Sequence, residues 1–197
     1  MTNAEGMTKQ ARSTFVIRHS SFRAGGAFTL IELLIVMAII LVLAGLILAT
    51  SGYVQKKGKR SRAEAEIAAM SAALENYRAD NGAYPRNGVT DGLDVTTTTL
   101  SNYDAPSLKL YEHLSGDSDH DRVAESKTYF PFRPNQLSPT DQMQAVTSIL
   151  DPFGNPYGYS TMKASDSTRN GFNPTFDLWS IADGAPGTDS TKWIRNW

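Results

Sequence analysis

One segment limits every other choice open to this chain. Phe28 to Ala49 reads FTLIELLIVMAIILVLAGLILA, 22 residues with a single ionisable side chain, Glu32. As an α-helix it reaches ~33 Å at ~1.5 Å per residue, enough to cross a hydrocarbon layer of ~30 Å. A secretory signal peptide has an apolar stretch of only ~7–15 residues, so this one is too long. The segment predicts a transmembrane helix.

Charge is distributed unevenly around it. The net charge of −1 hides a basic head, in which Lys9, Arg12, Arg18 and Arg23 outnumber Glu5. A basic collar follows the span, with Lys56, Lys57, Lys59, Arg60 and Arg62 and no acid between them. From Ala63 onward ten bases face eighteen acids. An acidic body argues against a nucleic-acid binder, which concentrates base on its folded domain. Both flanks of the span are basic, so counting positive charge leaves its orientation open. The chain contains no cysteine, which excludes disulfides, thiolate metal sites and cysteine nucleophiles.

Glu32 is the anomaly within the span, because a carboxylate in hydrocarbon costs several kcal/mol at mid-membrane, on the order of 3. Either it sits close enough to the interface to stay hydrated or protonated, or it awaits a cation. An amine created by cleavage just upstream, on a neighbouring helix, would be such a cation. The run Gly25-Gly26-Ala27-Phe28-Thr29-Leu30-Ile31-Glu32-Leu33-Leu34 resembles the cleavage and methylation motif of the type IV pilins and type II secretion pseudopilins. The resemblance implies that a prepilin peptidase cuts between Ala27 and Phe28 on the cytoplasmic side and methylates the Phe28 amine. It also implies that Glu32, fifth residue of the mature chain, serves assembly and register. Alanine stands before the cut where the family usually has glycine. Cutting after Gly26 would make Glu32 the sixth residue, which favours Ala27/Phe28. The implied orientation puts the leader in the cytoplasm and the body outside. Pseudopilins often carry a proline near the end of the span; here Ala49-Thr50-Ser51-Gly52 stands instead, with Gly52 as the looser point.

Beyond the collar, Ile67, Met70, Leu74 and Tyr77 recur at helical spacing, and several alanines raise helix propensity. Asn81-Gly82 and Pro85 stop the helix. The expected organisation is a leader over 1–27, a transmembrane stalk over 28–52, an amphipathic continuation over 53–82 and a β-rich body over 83–197. That body contains a long insert, 89–150. The collar can face lipid headgroups, acidic bodies of adjacent subunits, or water.

Leu74 to Pro85, with its Asp80-Asn81-Gly82 turn and Tyr84-Pro85 pair, resembles the helix end of major pseudopilins. Asp151-Pro152-Phe153-Gly154-Asn155-Pro156-Tyr157 resembles their turn into the sheet. Phe176 to Ser180, Ala182-Asp183-Gly184 and Asn196-Trp197 resemble their final strand, loop and tail. Short alternating runs at Tyr157–Thr161 and Phe176–Ile181 read as strands. The fold class is therefore α+β: a long N-terminal transmembrane helix whose second half packs on a small antiparallel sheet, as in pilins. In the insert, Thr96 to Thr99 reads as loop or edge strand, Leu108–Leu114 as a short helix, and Phe130 to Pro134 as extended. Surface display and packing over its own domain are both open to the insert, and packing is preferred.

Two places invite a cation. Asp117-Ser118-Asp119-His120-Asp121 opens like a calcium loop, but the sixth and twelfth positions hold Arg122 and Thr128 instead of glycine and glutamate. A solvated acidic loop is the expectation. The resemblance further implies calcium before the tail, with Asp183 as one ligand and Asp189 as a substitute for a pair replaced by Lys192 and Trp193. Packing of Trp179, Trp193 and Trp197 is the alternative fastening. An enzyme is not expected: there is no nucleophile elbow, zinc-helix or phosphate-loop motif, and His113, Glu112 and Asp117 form only an imaginable acid–base group. The resemblance implies a filament subunit of a type II secretion pseudopilus, anchored in the inner membrane with its body in the periplasm. Its partners would be itself, the prepilin peptidase, the inner-membrane assembly platform and minor pseudopilins. The alternative is a type IV pilus or minor pilin subunit acting in adhesion or tip binding.

Overall fold

The computed structural model describes residues 28–97, 99–185 and 190–197. The expected leader with Ala27, and the candidate ligand Asp189, lie outside the described residues. The chain forms two compact units that divide between Leu48 and Ala49. Helix α1 is assigned over Leu30–Asn81.

In the amino-terminal unit the helix is apolar on every side. Leu30, Ile31, Leu33, Leu34, Ile35 and Val36 are all exposed, and between them they cover its whole circumference. A helix without a polar face belongs in lipid or among other helices. By length and composition it can cross a membrane.

In the second unit the same helix becomes one-sided. Ala63, Ile67, Met70, Ala73 and Leu74 are buried, at spacings of three and four that place them on one face. Ion pairs flank that stripe, with Arg62 to Glu66 at 2.8 Å and Arg60 to Glu64 at 3.8 Å. Gly82, at φ +78°, ends the helix by donating its N–H to the Arg78 carbonyl at 2.8 Å.

The insert then contributes α2 (Gly88–Gly92) and α3 (Asp104–Ser115). Asn87 caps α2, its side chain accepting from the N–H groups of Val89 and Thr90. Strands β1 (Leu137–Ser138) and β2 (Ser148–Ile149) form an antiparallel pair. Strand β3 (Gly158–Ser160) leads into the short α4 (Met162–Ser165), followed by β4 (Asp177–Ser180) and β5 (Ile194–Arg195). These three strands make a second antiparallel sheet in the order β3-β4-β5.

Helix α3 packs directly on β2 and β3. Ser107 fixes the contact, accepting from the Ile149 N–H at 2.8 Å inside the core. The stripe of α1 shares that core with Leu110, Tyr111 and Leu114 of α3, Ile149 of β2 and Tyr159 of β3. Part of the insert is thus structural. The short helix expected at Leu108–Leu114 starts earlier, at Asp104, because Pro106 and Ser107 are already buried in its first turn. The described residues of the threonine run form no strand; Thr96 folds back so that its N–H and hydroxyl donate to Asp94 Oδ1.

Strand β4 is buried on both faces. Leu178 points into the α1/α3 core, while Trp179 enters a second cluster with Leu93, Val95, Tyr103, Ile181 and Trp193. Gly158 pairs with Trp179 across the sheet. A Cβ at Gly158 would lie 2.1 Å from the indole, so only glycine admits the ring there.

Candidate functional site

The amino end of α1 is built by Thr29 and Glu32. The Thr29 hydroxyl accepts from the Glu32 N–H at 3.2 Å, and the Glu32 carboxylate accepts from the Thr29 N–H at 3.1 Å and hydroxyl at 3.0 Å. This reciprocal arrangement is a capping box, which satisfies helix donors that have no partner within the helix. The Thr-x-x-Glu spacing was its signal in the sequence, and reading Glu32 only as an isolated charge overlooked it. Glu32 therefore has a partner inside its own chain. Phe28, the expected new terminus, precedes the helix and is 79% exposed.

The Asp151 turn fastens the body. Buried Asp151 accepts from the N–H groups of Phe153 and Asn155 at 2.8 and 2.9 Å, and from the hydroxyl of Ser180 in β4. Burial raises its carboxyl above the ordinary range, and these hydrogen bonds offset only part of that rise. Asn155 extends the lock by donating its side-chain amide to the Ala182 carbonyl at 2.9 Å. The turn thereby positions the loop that begins with Ala182-Asp183-Gly184.

At that loop the expected ligand Asp183 already faces a cation. Lys56 of the collar lies 3.4 Å from its carboxylate, and this ammonium holds Asp183 below the usual carboxylate range. Arg60 donates to the carbonyls of Lys192 and Trp193 at 2.7 and 3.2 Å. Calcium takes six to eight oxygens. Among the described residues, the Asp183 carboxylate and the carbonyls of Lys192 and Trp193 already face positive side chains. Aromatic packing also holds the tail: the Trp179 and Trp193 rings are stacked at 6.1 Å, and Phe172 stacks on Trp197 at 4.4 Å.

The other acidic group is more ordered than a solvated loop. Asp117, Asp119, Asp121 and Glu125 each bring a carboxylate oxygen within 4.8 Å of the others. Asp117 is buried and accepts from the Tyr111 hydroxyl at 2.6 Å and from the N–H groups of His120 and Arg122. Burial alone would raise its carboxyl, but the hydrogen bonds together hold it below the ordinary range. Arg122, at the sixth position, turns its guanidinium onto the Pro139 and Asp141 carbonyls. The imagined acid–base group is divided among partners. His113 meets the Tyr77 hydroxyl at 3.2 Å, Glu112 pairs with Lys109 and His120, and Asp117 is engaged with Tyr111.

The amino end is thus a helix apolar all round, long enough by length and composition to cross a membrane, and started by the capping box of Thr29 and Glu32. Residues 23–48 match the family described as the prokaryotic N-terminal methylation motif. The chain is 28% identical to the type II secretion system core protein G of Pseudomonas aeruginosa PAO1 over 177 residues, covering 89% of this chain and 96% of that protein. It is 36% identical to the protein of the same name from Pectobacterium carotovorum over 79 residues, 40% of this chain and 49% of that one. No solved structure matches. The chain is thus similar over most of its length to a type II secretion system core protein and carries the methylation motif at its amino end.

Proposed function

We propose that the chain is the major subunit of a type II secretion pseudopilus, held in the inner membrane with its body in the periplasm until it polymerises. The observation that carries this reading is the exposed apolar helix within a methylation-motif match, on a chain similar over most of its length to core protein G. A prepilin peptidase removes the leader after Ala27 and methylates the Phe28 amine. Subunits then pass from lipid into a filament, where apolar helices pack on one another instead of on acyl chains. The assembly platform and minor pseudopilins start and guide that growth, and the growing filament pushes secreted proteins outward. No step of this work calls for catalysis by the subunit.

Glu32 acts at the point of transfer. Before assembly its carboxylate is held by Thr29. In the filament it pairs with the Phe28 amine of a neighbour, which fixes axial register more than it adds stability. Capping boxes accept glutamine as well as glutamate, and this separates the two roles. Glu32→Ala removes cap and charge, whereas Glu32→Gln keeps the cap and removes the charge. Electron microscopy of filaments from cells carrying the full secretion apparatus should show none with either variant, while membrane fractionation finds both proteins inserted. Normal filaments from Glu32→Gln would leave capping as the only role of the side chain.

A further inference from the structure

The cysteine-free tail of this protein has to be fastened to the body by something other than a disulfide. A divalent cation does such work by drawing together carboxylates and carbonyls that otherwise repel one another. Here two side chains of α1 reach the same groups. The Arg60 guanidinium spans two consecutive carbonyls, those of Lys192 and Trp193, at 2.7 and 3.2 Å. One turn earlier, the Lys56 ammonium lies 3.4 Å from Asp183. Arg60 is suited to its place because a planar fork can donate to two acceptors at once from a fixed geometry. Behind these carbonyls the Trp193 ring is buried against Trp179. The backbone is therefore held by packing on one side and by charge on the other. Among the described residues, the acceptors of this loop thus face the ammonium of Lys56 and the guanidinium of Arg60.

We propose that Arg60 and Lys56 perform the structural task of a divalent cation at the C-terminal loop, so that this body holds its tail without calcium. The collar is then divided in function. Arg60 and Lys56 belong to the fold of their own subunit, and their charge is spent there. Lys57 is exposed, and Lys59 stands 5.7 Å over the Phe153 ring; these two are the bases left for headgroups or neighbouring subunits.

The test uses the full chain in detergent micelles, with thermal unfolding followed by tryptophan near-UV circular dichroism, in EDTA and in millimolar calcium chloride. Wild type and Asp183→Asn are compared, because calcium acting elsewhere shifts both equally and cancels in the difference. The expected difference in Tm is the same in EDTA and in calcium. Arg60→Ala should lower Tm by about 2–6 °C and weaken the Trp179–Trp193 signal, with Arg60→Lys falling between. A wild-type advantage over Asp183→Asn that appears only with calcium overturns the proposal. So does an Arg60→Ala protein with unchanged Tm and spectrum. If Arg60→Ala does not fold, the comparison of wild type with Asp183→Asn still decides.

Discussion

The two stretches of α1, one on each side of the collar, have the same backbone and opposite surroundings. Between Leu30 and Leu48 the large apolar side chains are exposed around the whole helix. Between Ala63 and Leu74 they are buried every third or fourth residue, and the other face is charged or small. The second stretch finds its apolar cover within the chain, whereas the first has none among the described residues and, on the proposed function, takes it from lipid or from other copies. The contrast separates what folds the monomer from what assembles it, and mutations should obey that boundary.

The largest effect should come from shortening a buried side chain in the second stretch. Leu74→Ala opens a cavity between α1, α3 and the sheet, at a cost of about 2–5 kcal/mol, read as a fall in Tm of the order of 10 °C. Leu41→Ala, an equal truncation in the first stretch, should leave the Tm of the body within about 1 °C. Its effect should appear in filament yield instead. Equal losses of body stability at Leu41 and Leu74 would erase the boundary.

Next in size is Gly158→Ala. The added methyl meets the Trp179 ring at 2.1 Å, and moving that ring disturbs the second cluster, at about 1–3 kcal/mol. Tryptophan fluorescence should shift with the loss of Tm.

Asp151 sharpens the comparison from the polar side. Asp151→Ala leaves two backbone N–H groups without their acceptor, a loss of about 1–3 kcal/mol. Asp151→Asn keeps an oxygen for them and should cost less. The two also differ in pH dependence. Because the folded carboxyl is raised, the native state binds its proton more tightly than the unfolded chain does. Stability from this group is therefore fullest below the ordinary carboxylate range and declines as pH rises through the raised value. Asp151→Asn should remove that decline from a plot of Tm against pH.

What the sequence made legible follows this division. The span could be read because hydrocarbon imposes one requirement on 22 consecutive residues, and the buried stripe because helical spacing reports a face. The strands near Tyr157 and Phe176 were readable from alternation. Illegible were features made by distant residues. Nothing near Arg60 in the chain announces the carbonyls of Lys192 and Trp193. Likewise the burial of Asp117 depends on Tyr111 and on the turn through His120 and Arg122. The role of α3 was only half readable, since a short amphipathic helix does not reveal which sheet it covers. Thr29 was the exception, because its local Thr-x-x-Glu signal was present and was masked by attention to the charge on Glu32.

The central claim is that the apolar stretch of α1 becomes a filament-forming end only after processing at Phe28. Intact mass and N-terminal sequencing of the full chain, expressed with and without a prepilin peptidase, test it most directly. A methylated product beginning at Phe28, formed only with the peptidase, is the expected result. A chain that keeps its leader under both conditions would contradict the claim and leave a membrane-anchored acidic body with no route into a filament.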